Sequence, residues 1–205
     1  MRPRLQLFAL VTALGLKSVA ALASEEEAGR PFMREMELSG VYNLEGGFEV
    51  DAGPGAVWQV LTDYPDLPRF VPSVRSSVAH VLADGGLVVD QEFEGKAFIF
   101  TRDMRVQLTV RQQPEESITF HDLALKDFEV YEGSWRIQPT ALGSKVAYFL
   151  KAKPREAVPD FIARGAFSGS ALEMLRRLRD EIIRSAGRTR VAHLTQQQSP
   201  EGRSP

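Results

Sequence analysis

Six extended segments follow one another between residues 74 and 153, with only a few residues between neighbours. They run over 74–82, 86–95, 97–112, 116–124, 129–138 and 144–153. Turn residues stand between most of them: Asp84-Gly85-Gly86, Pro114-Glu115-Glu116 and Leu142-Gly143-Ser144. A connection that brings the next strand back parallel needs a dozen or more residues. These gaps are too short for that, so the segments must form hairpins and an antiparallel sheet.

The segment 97–111 shows which face is buried. Phe98, Phe100, Met104, Val106, Leu108 and Val110 fall on even positions, and the odd positions are mostly polar. That is the period of two expected of a strand with one apolar face. Arg102 lies on the apolar phase. The next strand repeats the anomaly, with Asp122 in phase with Ile118 and Phe120.

A short helix is predicted over 55–62, and "DYPDLP" ends it. Proline cannot continue a helix and biases the preceding residue away from helical geometry. The full run "VWQVLTDYPDLPRFVPSV" (57–74) sets Pro65, Pro68 and Pro72 among Tyr64, Leu67, Phe70 and Val71. Such a corner is too apolar for a free surface loop. Its proline content lowers the entropy lost when it is ordered. It serves either as a plug for a core or as a gate over a ligand. A long helix is predicted from about Val158 to Ala186. Pro159 suits its first turn, and Ala171, Leu172, Leu175, Leu178 and Ile182 form an apolar stripe. Gly165 and Gly169 stand one turn apart at its start. Each costs about 1 kcal/mol against alanine, so they imply either room for a ligand or close packing against the sheet.

At the N-terminus Arg2 and Arg4 precede an apolar run, Leu5–Leu16, and Ala21-Leu22-Ala23 offers a cleavage pattern before Ser24. Residues 1–23 are expected to be a signal peptide, the run being shorter than the ~20 apolar residues of a spanning helix. A retained membrane anchor is the alternative. Export to the periplasm or the extracellular space follows. Cleavage leaves 22 basic against 27 acidic residues, a net charge of −5. That balance excludes a basic footprint for nucleic acid and offers nothing to an anionic membrane surface. Residues 24–35 read as a flexible leader, 36–187 as the folded domain, and 188–205 as a disordered tail. There is no cysteine, which excludes disulfides and thiolate metal sites.

Three stretches resemble the polyketide cyclase/dehydrase and coenzyme Q-binding branch of the START-like (SRPBCC) superfamily. They are residues 57–74, "DFEVYEGSWRIQP" (127–139) and "VPDFIARGAFSGSALEMLRRLRDEI" (158–182). The resemblance covers about 36–186. It implies an α+β helix-grip fold: a curved antiparallel sheet of six to seven strands wraps a long C-terminal helix, with two short helices after the first strand. It also implies an apolar cavity for a lipid, quinone, sterol or polyketide. It carries no catalytic residue onto this chain.

No motif for catalysis, metal or cofactor is present. His80, His121 and His193 have no metal spacing, and "GAFSG" is not a nucleophile elbow. The candidate ligand-binding residues are therefore the large inward ones: Phe98, Phe100, Met104, Phe120, Tyr131, Trp135 and Tyr148, with Gly165 and Gly169. Each of the aromatic residues is otherwise ordinary core. Arg102 and Asp122 either pair inside the sheet, or contact a ligand headgroup, or are displaced by a β-bulge. The expected function is a monomeric carrier of a hydrophobic small molecule. A cyclase, aromatase or dehydratase is the first alternative, with Asp122, Tyr131 or His80 as acid or base. A ligand-free protein-interaction module is the second.

Overall fold

Alternation becomes sheet along most of the chain. A computed structural model describes residues 29–97, 100–156 and 166–197, with residues 95–97, 100–102, 166 and 191–197 described by backbone alone. The chain divides into Met1–Arg30 and Pro31–Pro205, and the elements lie in the second unit. Their order is β1 (Phe32–Leu38), β2 (Val41–Val50), α1 (Pro54–Thr62), a 3-10 turn (Tyr64–Asp66), α2 (Leu67–Phe70), β3 (Val74–Val81), β4 (Leu87–Ala97), β5 (Phe100–Gln113), β6 (Ser117–Asp122), β7 (Phe128–Thr140), β8 (Gly143–Pro154) and α3 (Ala166–Gln197).

The eight strands form one sheet in the order β1-β2-β8-β7-β6-β5-β4-β3, every pair antiparallel. Strands β3 to β8 are consecutive neighbours, as the short gaps require. Only the link from β2 to β3 crosses the full width of the sheet. That link holds α1, the 3-10 turn and α2. Helix α3 touches β1, β2, β4, α1 and α2. Its stripe of Ala171, Leu175, Leu178 and Ile182 is buried, whereas Leu172 is half-buried. At roughly 1.5–3 kcal/mol for each fully buried large side chain, this stripe is what holds the helix on the sheet. Gly46 lets it approach: a Cβ there would stand 3.0 Å from Leu175 Cδ1 and 2.5 Å from the Phe32 carbonyl.

The helix-grip architecture expected from the resemblance is the one found, with differences at both ends. Eight strands replace six or seven. The extra strand, β1, is an edge strand set off from β2 by a turn in which Ser39 and Gly40 both have positive φ. It occupies part of the expected flexible leader. Charged residues in "FMREMEL" hide its alternation, yet Met33 packs on the core. Glu35 Oε2 accepts a hydrogen bond from the Ser168 amide at 3.0 Å. At the other end α3 runs on through Gly187 to Gln197, into the segment expected to be a disordered tail. A glycine inside a helix costs only about 1 kcal/mol. Beyond it Arg188 reaches Glu181 at 3.2 Å, and Thr189 Oγ1 donates to the Ser185 carbonyl at 3.2 Å. The predicted helix start, with Pro159 and Gly165, lies outside the described residues. No described helix is long and apolar enough to cross a membrane.

Candidate functional site

A cavity of about 100 Å³ lies between the sheet, the proline-rich corner and α3. The sheet supplies Leu108, Val110, Ile118, Phe120, Tyr131, Trp135 and Tyr148, all on the inward phase of β5 to β8. Leu61, Tyr64, Leu67 and Val71 cover it from the corner, and Met174 and Leu178 come from α3. Strand β3 adds Val74, and β4 adds one polar residue, Gln91. The corner that looked too greasy for a loop is therefore one wall of an internal space. Its Phe70 is buried as well.

Aromatic rings dominate the floor. Trp135 and Tyr148 lie with ring centroids 4.4 Å apart. Tyr131 sits among Phe93, Phe120 and Phe128 at 6.0, 6.2 and 4.8 Å. Gly133 makes this arrangement possible. A Cβ there would meet the Phe149 carbonyl oxygen and stand 2.6 Å from Phe120 Cζ. The absent side chain leaves the place where the Phe120 ring lies.

Of the candidate ligand-binding residues, the structure brings Phe120, Tyr131, Trp135 and Tyr148 together around the cavity. Met104 packs on the core beside the cavity, opposite Phe93 in the register. Phe98, Gly165 and the side chains of Phe100 and Arg102 lie outside the described residues. Gly169 is exposed, and a Cβ there would meet nothing within 4 Å. It leaves no gap between helix and sheet, because it points away from the sheet. His80 is also on the outside, 3.2 Å from Asp90 Oδ2.

The Arg102–Asp122 pair is overturned by register. Arg102 pairs with Gly95 on β4, whereas Asp122 pairs with Leu108 on β5. Six strand residues separate the two levels, about 20 Å at 3.3 Å each. Asp122 instead serves the backbone. Its Oδ1 accepts from the amides of Gln107 (2.9 Å) and Ala124 (3.1 Å), and its Oδ2 from that of Leu125 (3.1 Å). A carboxylate on an apolar face is therefore satisfied by three N–H donors at the β6–β7 turn.

Burial pushes the phenols of Tyr131 and Tyr148 well above their ordinary range, helped by the Asp122 charge for Tyr131 and by Tyr131 for Tyr148. Tyr64 is also raised by burial, although the hydrogen bond from Gln112 Nε2 to its Oη (2.8 Å) works the other way. All three stay protonated across the physiological range, as neutral hydrogen-bonding groups.

Sequence reading did not find what fastens the corner. Glu181 on α3 is buried, its side chain 3% exposed. Its Oε1 lies 2.7 Å from Arg69 Nη2 on α2 and 3.2 Å from Arg188 Nη2. Its Oε2 is 2.8 Å from Arg184 Nη2, yet accepts no well-angled hydrogen bond. Arg69 also pairs with Asp66 at 2.7 Å. The partners lie 112 residues apart, so no local pattern could reveal them. Burial alone would raise the Glu181 carboxyl. Hydrogen bonds from Arg69 and Arg188 and the charges of Arg69 and Arg184 outweigh it and hold the group below its usual value.

A folded-state pKa below the unfolded one stabilises the protein above the unfolded value. That contribution is lost as pH falls through the folded value. Glu181→Gln is therefore expected to cost about 1–2 kcal/mol at pH 7. The difference from wild type should shrink steadily below about pH 4.5. Urea midpoints measured across that range check both statements; a difference independent of pH would show that charge at Glu181 does not fasten the corner.

Comparison with known proteins agrees with this architecture. The family described as "Polyketide cyclase / dehydrase and lipid transport" matches residues 50–179, well over half of the chain. No curated protein matches. Among solved structures, a protein from Thermus thermophilus is similar at 16% identity and a TM-score of 0.60, over 70% of this chain and 99% of that one. A STAR-related lipid transfer protein fragment from Xanthomonas axonopodis is similar at 18% identity and a TM-score of 0.54, over 74% and 98%. The Zhui aromatase/cyclase of a Streptomyces species is similar at 15% identity and a TM-score of 0.55, over 75% and 95%. At these identities the likeness is one of fold. The family match extends from the end of β2 to the middle of α3 and takes in every wall of the cavity. The chain belongs to the polyketide cyclase/dehydrase and lipid transport family.

Proposed function

We propose that this protein is a monomeric carrier that takes up a hydrophobic small molecule in the cavity between sheet, corner and α3. The observation that carries the reading is the cavity itself, about 100 Å³ and walled almost wholly by apolar and aromatic side chains. A void of roughly 150 Å³ in an apolar core accepts benzene; this one, at about 100 Å³, takes a ring-sized group only as its walls give way. Binding sites for larger ligands enclose about 300–1,000 Å³. A larger cargo enters by displacing the corner, whose Leu67 and Tyr64 form a wall, and by repacking Met174, an adaptable side chain.

The cyclase alternative needs an acid or base beside the substrate. Among the described residues lining the cavity there is no carboxylate, imidazole or amine. The Asp122 carboxylate is engaged by three backbone amides. The raised phenols of Tyr131 and Tyr148 are donors, not bases. These points favour carriage over catalysis.

Export is part of the proposal, supported by Arg2, Arg4, the Leu5–Leu16 run and the Ala21-Leu22-Ala23 site. Mass spectrometry of the protein purified from its own source tests both parts. Under native conditions the mass should exceed that of the polypeptide by a ligand that organic solvent extracts. Under denaturing conditions it should correspond to a chain beginning at Ser24. A bare polypeptide that also ignores apolar probes would reject the carrier, and an intact N-terminus would reject cleavage.

A further inference from the structure

The corner is tied to α3 by an ion pair whose two charges each have a second partner close at hand. Arg69 Nη2 of α2 lies 2.7 Å from Glu181 Oε1 of α3. On the corner side, Arg69 Nε also reaches Asp66 Oδ2 of the adjoining 3-10 turn at 2.7 Å. On the helix side, Glu181 reaches Arg184 at 2.8 Å and Arg188 at 3.2 Å, both further along α3 itself. Separating a pair with a buried member is costly when it strands an uncompensated charge. Here neither charge is stranded. Asp66 leaves with Arg69, and Arg184 and Arg188 stay with Glu181.

The segment that would move is short and bounded. Before it, α1 buries Val57, Val60 and Leu61, and Gln112 of β5 holds Tyr64 Oη at 2.8 Å. After it, the Ser73 carbonyl accepts from the Glu94 amide at 2.8 Å, and β3 pairs with β4. Between these anchors lies α2. Its Leu67 is a wall of the cavity. Its Phe70 is buried beneath the Arg69 guanidinium, which lies 5.3 Å from the ring centroid.

We propose that the Arg69–Glu181 pair is a reversible latch: it opens by swinging α2 off α3, and its opening sets the rate at which a ligand enters the cavity. This rests on the cavity being a ligand site. A space of about 100 Å³ admits a ring only when a wall moves, and α2 is a wall whose detachment leaves both charges of its tie partnered. Arg184 and Arg188 belong to the latch. By sharing Glu181 they weaken its hold on Arg69.

Hydrogen exchange on the full chain without ligand reads the latch directly. The Val71 amide, which donates to the Leu67 carbonyl at 2.8 Å, reports on α2, and amides of β7 and β8 report on the whole fold. In Arg69→Gln the Val71 amide should exchange about tenfold faster, the worth of one hydrogen bond between charged groups. Arg184→Gln/Arg188→Gln should do the opposite. Glu181 is then left to Arg69 alone, so Val71 exchange should slow about threefold while the strand amides hold or speed up. A network that only braces the fold would give faster Val71 exchange in both variants, and that result would overturn the latch. Acetophenone, a neutral ring-sized probe, tests entry by stopped-flow quenching of tryptophan emission, Trp135 being a lining residue. Its association rate should follow the open population, rising in Arg69→Gln and falling in the double variant. Association rates indifferent to both substitutions would overturn the latch as the control of entry while leaving the cavity a ligand site. Acetophenone that fails to bind the unmodified chain would reject the carrier reading, and the entry role with it.

Discussion

Val110→Phe is expected to abolish ligand uptake while leaving the fold intact. Val110 lies on the inward phase of β5, between Leu87 of β4 and Phe120 of β6, and lines the cavity. A phenyl ring there would occupy much of a space of about 100 Å³. A ligand would then have to displace a packed side chain, and overpacking costs about 1–3 kcal/mol in addition to the lost contact surface. The affinity for acetophenone should drop by at least about a hundredfold. Stability should not follow. Voids destabilise by about 24 cal/mol per Å³, so a side chain that fills one holds or raises the urea midpoint. The midpoint and the binding isotherm together decide the matter: wild-type affinity in a folded variant would show that ligand goes elsewhere.

Asp122→Ala is expected to destabilise the protein by about 3 kcal/mol or more. The substitution removes a buried carboxylate and strips three backbone amides of their acceptor, in part-buried hydrogen bonds: those of Gln107, Ala124 and Leu125. Hydrogen bonds to a charged group are worth about 1.5–3 kcal/mol each, and orphaned donors add their desolvation cost. The turn also holds Leu125 at φ 45°, a left-handed conformation that a leucine adopts only when other contacts compensate. Asp122→Asn should cost less, since one amide oxygen can still serve Gln107 and Ala124. Adding Leu125→Gly to Asp122→Ala should recover about 1 kcal/mol by removing the strain. Urea denaturation of the three variants checks this order. If Asp122→Ala is as stable as wild type, the carboxylate does not hold the turn, and its place on an apolar face needs another reason.

The two anomalies in the strand pattern fared differently. Asp122 was legible as a charge out of place, and its burial is real. Its partners were not legible, because they are backbone amides that only the strand register and the turn bring within reach. Pairing with Arg102 was a reasonable inference from phase alone. Phase says which face a residue occupies, whereas register says how far along that face it lies. The same holds for Gly169. Its spacing suggested a gap facing the sheet, but the rotation of α3, set by Leu175, Leu178 and Ile182, turns it outward.

The consecutive order of β3 to β8, their antiparallel sense, the inward phase of Phe120, Tyr131, Trp135 and Tyr148, and the apolar stripe of α3 were determined by the sequence itself. Short gaps and periods of two and 3.6 are local quantities, and local quantities survive without a third dimension. Tertiary structure alone decided that an edge strand precedes β2, that Glu181 fastens the corner through Arg69, and that the space enclosed is about 100 Å³. Those outcomes depend on contacts between residues far apart in the chain and on a balance of volumes. No window of neighbouring residues encodes how well opposing walls fill the space between them.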